Sequence, residues 1–503
     1  MGKHPREAKE KVTPTTSNDG ATELGPDGAS HVQGHLKRQL KSRHIAMIRM
    51  YLRSIGGVIG TGLFLGTGTA LSHGGPVGLL LGYSIMGSIC YSTMISLGEM
   101  IAYLPIAGGH IKLAERFVGK FFSFSMGWNY WYNWVIVLPA ELSAAAILID
   151  YWEHHSILGI VLDLGGGPNR DRLGFRYWVH PGPFVQFHGI KGSWGRFLGF
   201  WTVLTQAAFS FIGTEIVAIA AGEAKNPRRN IPKAIKRVYI RILLFYIGGT
   251  ATIGLLVPSN DKSLGLTSDA ASSPFVIAIK RAGIGGLPST INAALLTSAL
   301  SAASSDLYTS SRALYGLAIA GNAPKIFTRT SKSGLPYFSV FFCALFCCLA
   351  YLDVSSGSGK VFGWFTNMTS IAGLMTWFGI NFTYWRFYQG MKAQGFDRSK
   401  LPFIGILQPY AAWYAMIWIW LVCIFAAYPV FLRNNWDTAT FITYYSPLAL
   451  FPVMVFGTKF WYKETMIAPG DMDFYSGLAE IEADSYDEPP PANWIERFWS
   501  WLM

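Results

Sequence analysis

Apolar residues form ten runs along the chain, separated by stretches richer in polar residues, glycine and proline. Crossing the hydrocarbon core of a bilayer takes about 20 predominantly apolar residues in a helix. The runs are close to this length or longer, and they lie near residues 54–71, 77–102, 121–151, 197–221, 238–257, 287–320, 336–352, 361–385, 409–432 and 440–461. The pattern predicts an all-α polytopic membrane protein.

Two of these runs carry a glycine break followed by a small polar residue. The first break reads Ile59-Gly60-Thr61-Gly62, and the second reads Ile212-Gly213-Thr214-Glu215. An unwound helix at bilayer depth frees backbone donors and acceptors for a solute, and breaks at corresponding positions of two halves indicate a transporter's binding site. The pair of breaks therefore predicts a transporter.

Composition and charge agree with a membrane protein. Of the 503 residues, 51% are hydrophobic and 14% are charged, whereas about a quarter of the residues in soluble domains are charged. The net charge is +12, and basic residues cluster beside apolar runs, as in cytoplasmic loops. Two clusters are Lys37, Arg38, Lys41, Arg43, Arg49 and Arg53, and Lys225, Arg228, Arg229, Lys233, Lys236, Arg237 and Arg241. We expect both termini to be cytoplasmic, the lipid bilayer to surround the chain, and no nucleic-acid partner.

The pattern divides the chain into three regions. Residues 1–50 are predicted to be a cytoplasmic disordered or amphipathic tail, because residues 1–30 are polar and lack the apolar stretch of a signal peptide. Residues 51–463 form the predicted transmembrane domain. Residues 464–503 form an acidic cytoplasmic tail, which we interpret as solvated, as an interfacial helix or as a regulatory contact. We expect trafficking or ubiquitination machinery to bind at the tails.

No pattern in the sequence is typical of an enzyme. The five cysteines fall inside predicted spans and lack the spacing of a disulfide framework or a zinc site. The sequence also has no His/Glu metal cluster, no Gly-Lys-Ser/Thr phosphate loop and no Gly-x-Ser-x-Gly nucleophile elbow after a strand. We expect no catalytic residue, no metal and no cofactor.

Of the acidic residues within predicted spans, four are singled out here, since each ionisable group at membrane depth costs a few kcal/mol. Glu215 follows the second break directly, and it is predicted to carry a proton or to contact the cavity, with a hydrogen-bonded structural role as the alternative. For Glu141, which follows Pro139, and for Asp306, functional and structural interpretations stay open. Glu99 is near a helix end and is interpreted as structural or as part of a cytoplasmic gate.

Several distinct sequence motifs occur along the chain. The first helix is entered through residues 36–45 (LKRQLKSRHI) and 56–64 (GGVIGTGLF), and later motifs are 209–215 (FSFIGTE), 222–228 (GEAKNPR), 311–318 (SRALYGLA) and 382–387 (FTYWRF). Together they resemble fungal amino-acid permeases, the yeast amino acid transporter family of the amino acid/polyamine/organocation superfamily. The resemblance covers nearly everything after residue 35.

The resemblance implies a LeuT-like (5+5)+2 inverted-repeat fold with broken first and sixth helices. Amides around Thr61 and Gly62 would bind a substrate α-carboxylate, and carbonyls of residues 209–211 would receive the α-ammonium. The resemblance also implies import of amino acids with protons across the plasma membrane, with Glu215 and, as a weaker candidate, Glu141 in proton coupling. The implied substrate-binding residues are Ile59, Gly60, Thr61, Gly62, Phe209, Ser210, Phe211, Gly213 and Thr214.

The chain departs from the family pattern after the third span. Relatives continue through a fourth and a fifth helix, whereas here His154-His155-Ser156 joins the third helix directly to the stretch that follows the fifth in relatives. About 40 residues are missing, which is two spans' worth, so about ten helices are expected here instead of twelve. The missing part includes a fifth-helix lysine implicated in coupling.

Two hypotheses of different class follow. One is a secondary active transporter that imports amino acids, of the proton-coupled kind that the resemblance implies. The other is a transport-inactive truncated permease that acts as a sensor or regulatory form. Altered exon boundaries in the assignment of the gene would also explain the short first repeat.

Overall fold

The computed structural model describes residues 61–106, 108–154, 174–216, 227–264, 273–282, 286–332, 334–478 and 493. Within these ranges the regular elements are helices and there is no strand, which confirms the all-α prediction. The predicted tail 1–50 lies outside the described residues, as do Ile59 and Gly60.

The helices are numbered here in chain order. The first seven are α1 (Thr67–Tyr103), α2 (Gly109–Phe117), α3 (Lys120–His154), α4 (Arg176–Val179), α5 (Ser193–Phe211), α6 (Pro227–Arg241) and α7 (Gly248–Leu256). The next seven are α8 (Pro274–Arg281), α9 (Leu287–Ile319), α10 (Tyr337–Leu345), α11 (Asp353–Ser356), α12 (Ser358–Ala393), α13 (Tyr410–Ile424) and α14 (Thr438–Tyr462). Wider π-helical turns, Gly62–Gly66 and Ile242–Ile247, precede α1 and α7.

Seven helical stretches of the described chain are long and apolar enough to cross a bilayer. They are Gly62–Tyr103, Lys120–Ile149, Ser193–Ile216, Ile231–Leu256, Tyr337–Ser356, Tyr410–Phe431 and Thr438–Tyr462. Helices α9 and α12 have 33 and 36 residues, and at 1.5 Å per residue each is about 50 Å long. Each predicted run coincides with a described helix, the first of them from Thr61 onward and the fourth as far as Ile216, so the chain is a multi-pass membrane protein.

One break separates the first two predicted runs. Gly75 has φ 74° and ψ 175° inside α1 and is followed by Pro76. This positive φ favours glycine, and proline has no N–H to continue the helix. The next amide, Val77 N, donates to Pro183 O at 3.0 Å. The apolar stretch is therefore two helical arms, and the freed backbone at the bend is satisfied by another segment.

The long helices approach one another closely through glycines. A Cβ on Gly82 of α1 would collide with Val203 of α5, and one on Gly379 of α12 would collide with Met126 of α3. Small residues at such contacts let membrane helices pack by van der Waals interaction, since lipid offers no hydrophobic driving force between them. Helix α3 also packs along α9, so it contacts both long helices of the second half.

The segment after α14 packs back onto the helices. We call residues 464–478 the C-terminal strap. Phe474 is fully buried, its ring 5.2 Å from Phe117 and 5.4 Å from Phe387, and Tyr103 Oη donates to its carbonyl at 3.2 Å. Gln394 Nε2 donates to the carbonyl of Met472 at 2.7 Å. The strap thus joins the ends of α1, α2 and α12 through its buried residues Met472 and Phe474.

Hydrogen bonds fix the turn of the strap around Asp473. Burial opposes ionisation of this carboxyl, but backbone amides of Ser476 and Tyr475 and the Arg116 guanidinium outweigh it and lower the pKa of Asp473 to about 2. The Arg116 Nη2 to Asp473 Oδ2 distance is 3.1 Å, and Arg116 also donates to Ser476 O at 2.8 Å. Because the folded pKa is depressed, this stabilisation is present above the unfolded pKa and is lost as pH falls towards 2.

We predict that Phe474→Ala destabilises the protein and that Tyr475→Ala does not. Removing a fully buried phenylalanine costs about 3–5 kcal/mol, whereas Tyr475 is 63% exposed. Thermal unfolding of the purified protein in detergent should show a lower midpoint for Phe474→Ala alone. Equal midpoints for the two variants would mean that the strap does not hold the helix ends together.

Candidate solute-binding site

The second glycine break is present in the structure. Helix α5 ends at Phe211, Ile212 is extended with ψ 144°, and Gly213 has φ 89° before a helical turn resumes at Thr214. A positive φ of this kind is available to glycine without strain. The interruption leaves backbone groups at the end of α5 outside the regular i to i−4 ladder, as the sequence pattern predicted.

The described part of the first break begins at Thr61. Gly62–Gly66 forms a π-helical turn, a widened geometry that is frequent at functional sites. Ser273 Oγ, just before α8, donates to the carbonyl of Phe64 at 2.9 Å. The turn is therefore anchored from the second half of the chain.

The two breaks meet at Gly62. A Cβ placed there would lie 2.8 Å from Phe209 Cδ1, 3.0 Å from Ser210 Cα and 3.1 Å from Ser210 Oγ. Ser210 Oγ is in turn 3.0 Å from Tyr83 Oη of α1. The structure thus brings Gly62, Phe209 and Ser210, three residues singled out by their sequence motifs, into one contact that has room for glycine only.

Phe211 faces the core. Its ring is fully buried and stacks on Tyr246, with centroids 4.3 Å apart and planes 22° apart. The side chain therefore packs within the protein, and only the backbone of Phe211 is left for the role that the family resemblance implies. Thr214 is also buried, and its Oγ1 lies 3.2 Å from Cys90 Sγ.

Glu215 lies between the second break and α12. It is 1% exposed, and Trp377 Nε1 donates to its Oε2 at 3.2 Å. One turn on, Asn381 donates to Trp377 O at 2.9 Å and to Thr93 Oγ1 at 2.8 Å, which links α12 to α1. The sequence reasoning missed Trp377 and Asn381; an asparagine inside an apolar run is the signal that could have indicated this network.

Glu141 lies at the first break. It is 5% exposed on α3, and Thr61 Oγ1 donates to its Oε1 at 2.9 Å. Its Oε2 has no hydrogen-bond partner among the described residues. The two glutamates predicted for proton coupling therefore sit at different breaks, Glu141 with Thr61 and Glu215 next to Gly213.

Both carboxylate oxygens of Glu99 accept hydrogen bonds. It is fully buried at the end of α1, and Arg398 donates to its two oxygens at 2.7 and 2.9 Å. Tyr384 Oη and the Gly405 amide also donate to it, both at 3.0 Å. This carboxylate ties the loop after α12 to α1, which agrees with its interpretation as structural or as part of a gate.

The breaks are bordered by polar atoms that lack protein partners. Trp134 of α3 lies over Gly213, where a Cβ would come within 3.2 Å of its ring, and Trp134 Nε1 has no partner in the described part of the chain. Most buried polar groups in proteins are hydrogen-bonded. Trp134 Nε1 and Glu141 Oε2 are thus two buried polar atoms beside the breaks that have no hydrogen-bond partner among the described residues. The described residues contain no group of three metal-ligating side chains.

Comparison with known proteins agrees with this geometry. The family model described as amino acid permease matches residues 49–156 and 154–466. The chain is 40% identical to the proline-specific permease of Emericella nidulans over 520 residues, covering 93% of each protein. It is 39% identical to the dicarboxylic amino acid permease of Saccharomyces cerevisiae, covering 90% of this chain and 81% of that protein, and 38% identical to the lysine-specific permease of the same yeast, covering 94% and 84%.

We predict that Gly62→Ala destabilises the contact between the breaks, while Gly66→Ala does not. The first methyl would press on Phe209 and on the Ser210 backbone, whereas nothing lies within 4 Å of a Cβ on Gly66 in the same turn. Overpacking of this kind costs about 1–3 kcal/mol. Thermal midpoints of the two variants in detergent check this, and a Gly62→Ala protein as stable as Gly66→Ala would contradict the close approach.

Proposed function

The chain belongs to the amino acid permease family, and we propose that it is a secondary active transporter that imports amino acids together with protons. The observation that carries the proposal is the contact of the two glycine breaks at Gly62 and Ser210. Irregular backbone is tolerated at membrane depth where it is buried in protein or lines a cavity. Two such interruptions side by side supply donors and acceptors for a zwitterion.

The proposed site recognises the α-carboxylate and the α-ammonium group of an amino acid. Amides at Ile59 to Gly62, where the helical turn Gly62–Gly66 begins, would bind the α-carboxylate with the positive end of the helix dipole. Carbonyls of Phe209, Ser210 and Phe211 would receive the α-ammonium, with Gly213 and Thr214 supplying the break. The proximity of Gly62 to Phe209 and Ser210 supports this, because one small zwitterion has to touch both groups.

Side-chain selectivity is proposed to come from residues around this backbone site. The three relatives are named for proline, dicarboxylic amino acids and lysine, which differ in the side chain and share the α-carboxylate. A site built on backbone groups serves all three classes. We therefore propose amino acids as the substrate class of this chain.

Glu215 is proposed to carry the proton, with Glu141 as the second candidate. Both are nearly fully buried next to a break, and a charged carboxylate at membrane depth is costly. Taking up a proton removes that charge, and the Trp377 donor to Glu215 is positioned to respond to the change.

We also propose a plasma-membrane location with both termini cytoplasmic and with trafficking or ubiquitination machinery acting at the tails.

One observation favours the alternative of a transport-inactive truncated form. The two matches of the family model overlap at residues 154–156, the junction at which the resemblance implies two further helices in relatives. The alignment with the Emericella nidulans relative is also longer than the 503 residues of this chain, so it includes positions that the chain lacks. A permease short of two helices could bind its solute without completing transport.

We predict that cells lacking their own permeases gain uptake of labelled amino acids when they express this chain, and that Glu215→Gln lowers proton-driven uptake by about tenfold or more. Glu115→Gln is the control, because Glu115 pairs with Lys112 away from both breaks. A fluorescent tag verifies that each variant reaches the plasma membrane. No uptake by correctly localised wild-type protein would favour the transport-inactive form.

Sequencing the transcript across His155 and Ser156 separates a real shortened repeat from misassigned exons. If the short form is the natural product, the transcript joins the two codons directly. A further segment of about 40 codons, enough for two spans, would show that the natural protein has twelve helices.

A further inference from the structure

We propose that Asp306 is a further acidic residue of the coupling machinery, beside Glu215 and Glu141, and that Asp306 and Glu141 hold one proton between them beside the first helix break. The inference rests on the proposed function and adds to it a residue on α9. It also gives Glu141 a role distinct from that of Glu215.

Each carboxyl group is buried and has an oxygen without a partner. Glu141 and Asp306 are both 5% exposed, on helices α3 and α9 that pack along each other. Glu141 Oε2 and Asp306 Oδ2 have no hydrogen-bond partner among the described residues. Trp128 Nε1 of α3 donates to Asn322 O just after α9 at 3.1 Å, and a Cβ on Gly127 would meet Leu317, so the two helices run antiparallel from this end and carry Glu141 and Asp306 at similar depth. Two neighbouring carboxylates in a low-dielectric interior do not both ionise readily, and a shared proton relieves the repulsion.

The surroundings supply no counter-charge. No ion pair within the described residues joins Glu141 or Asp306 to a lysine or arginine. On α9 itself, Arg312 is exposed and lies over the Tyr308 ring at 4.7 Å. On α8, Lys280 is exposed and Arg281 pairs with Asp261 at 2.7 Å.

Helix α10 contributes one titratable group to this face. Cys343 is buried against α9, with Ser310 and Trp131 as its polar neighbours. A buried thiol is neutral and cannot compensate a carboxylate charge. Because none of these described neighbours offers a cationic group in contact, a proton is the cation that would neutralise the pair.

Thr61 connects the pair to the break. Its hydroxyl donates to Glu141 Oε1 at 2.9 Å, and it immediately precedes the π-helical turn at Gly62. A hydrogen bond to an ionised carboxylate is stronger than one to a neutral carboxyl. When a proton passes from water onto the pair, one O–H bond forms, the pair loses one negative charge and the bond from Thr61 weakens. Proton binding is thereby linked to the backbone that receives the solute.

The test compares wild type with Asp306→Asn, Glu141→Gln, the double variant and Ser305→Asn in proteoliposomes. Ser305 is the matched control, since it precedes Asp306 on α9 and its side chain is exposed. The measured quantity is the ratio of pH-gradient-driven accumulation of a labelled amino acid to its exchange at equal pH. We expect this ratio to fall by about tenfold in each single carboxyl variant, to fall no further in the double variant, and to stay at the wild-type level in Ser305→Asn. Asp306→Glu should restore part of it.

Infrared difference spectroscopy separates this inference from the proposed function. Stepping the pH of the purified protein should reveal a protonated carboxyl C=O band that both Asp306→Asn and Glu141→Gln remove or shift. If the wild-type protein shows this band but transports no amino acid, the transporter proposal is wrong and the shared proton is still supported. A wild-type accumulation ratio in Asp306→Asn, or a band that only one of the two substitutions affects, would overturn the shared proton.

Discussion

The contact of Gly62 with the Phe209 ring and with Ser210 is the constraint on which the rest of the site depends. Interrupted helices leave backbone donors and acceptors unpaired, and lipid cannot satisfy them. Here each interruption is buried against the other, because Gly62 has no side chain to keep α5 at a distance. Tyr83 and Ser273 then anchor the two breaks through hydrogen bonds to Ser210 and to the Phe64 carbonyl.

The buried carboxylates differ in how completely they are bonded, and this separates their roles. Glu99 accepts hydrogen bonds from Arg398, Tyr384 and the Gly405 amide, so its charge is compensated in place. Such a buried pair fixes geometry, since loss of either partner would leave an isolated charge. Glu141 receives one bond, from Thr61, and keeps an oxygen without a partner in the described structure. This partial bonding is the observation that supports the proposal that the Glu141 carboxyl exchanges a proton.

Close helix packing carries these local arrangements across the molecule. Helix α3 contacts α9 and α12, and it contributes both Glu141 and Trp134 to the breaks. Helix α12 contributes Trp377 to Glu215, and its far end is held by the C-terminal strap through Gln394. The two breaks and the strap are therefore connected by contiguous packing.

The sequence by itself determined the membrane class, the positions of the helices and the site of the second glycine break, because apolar run length and glycine next to small polar residues are local properties. It also indicated Glu141 and Glu215, since an ionisable residue inside an apolar run is conspicuous. It could not determine that Thr61 bonds Glu141, that Trp377 bonds Glu215 or that the helix of Asp306 packs along the helix of Glu141. Those pairs join residues 80 or more positions apart, and only the packing of α3, α9 and α12 decides which side chains meet.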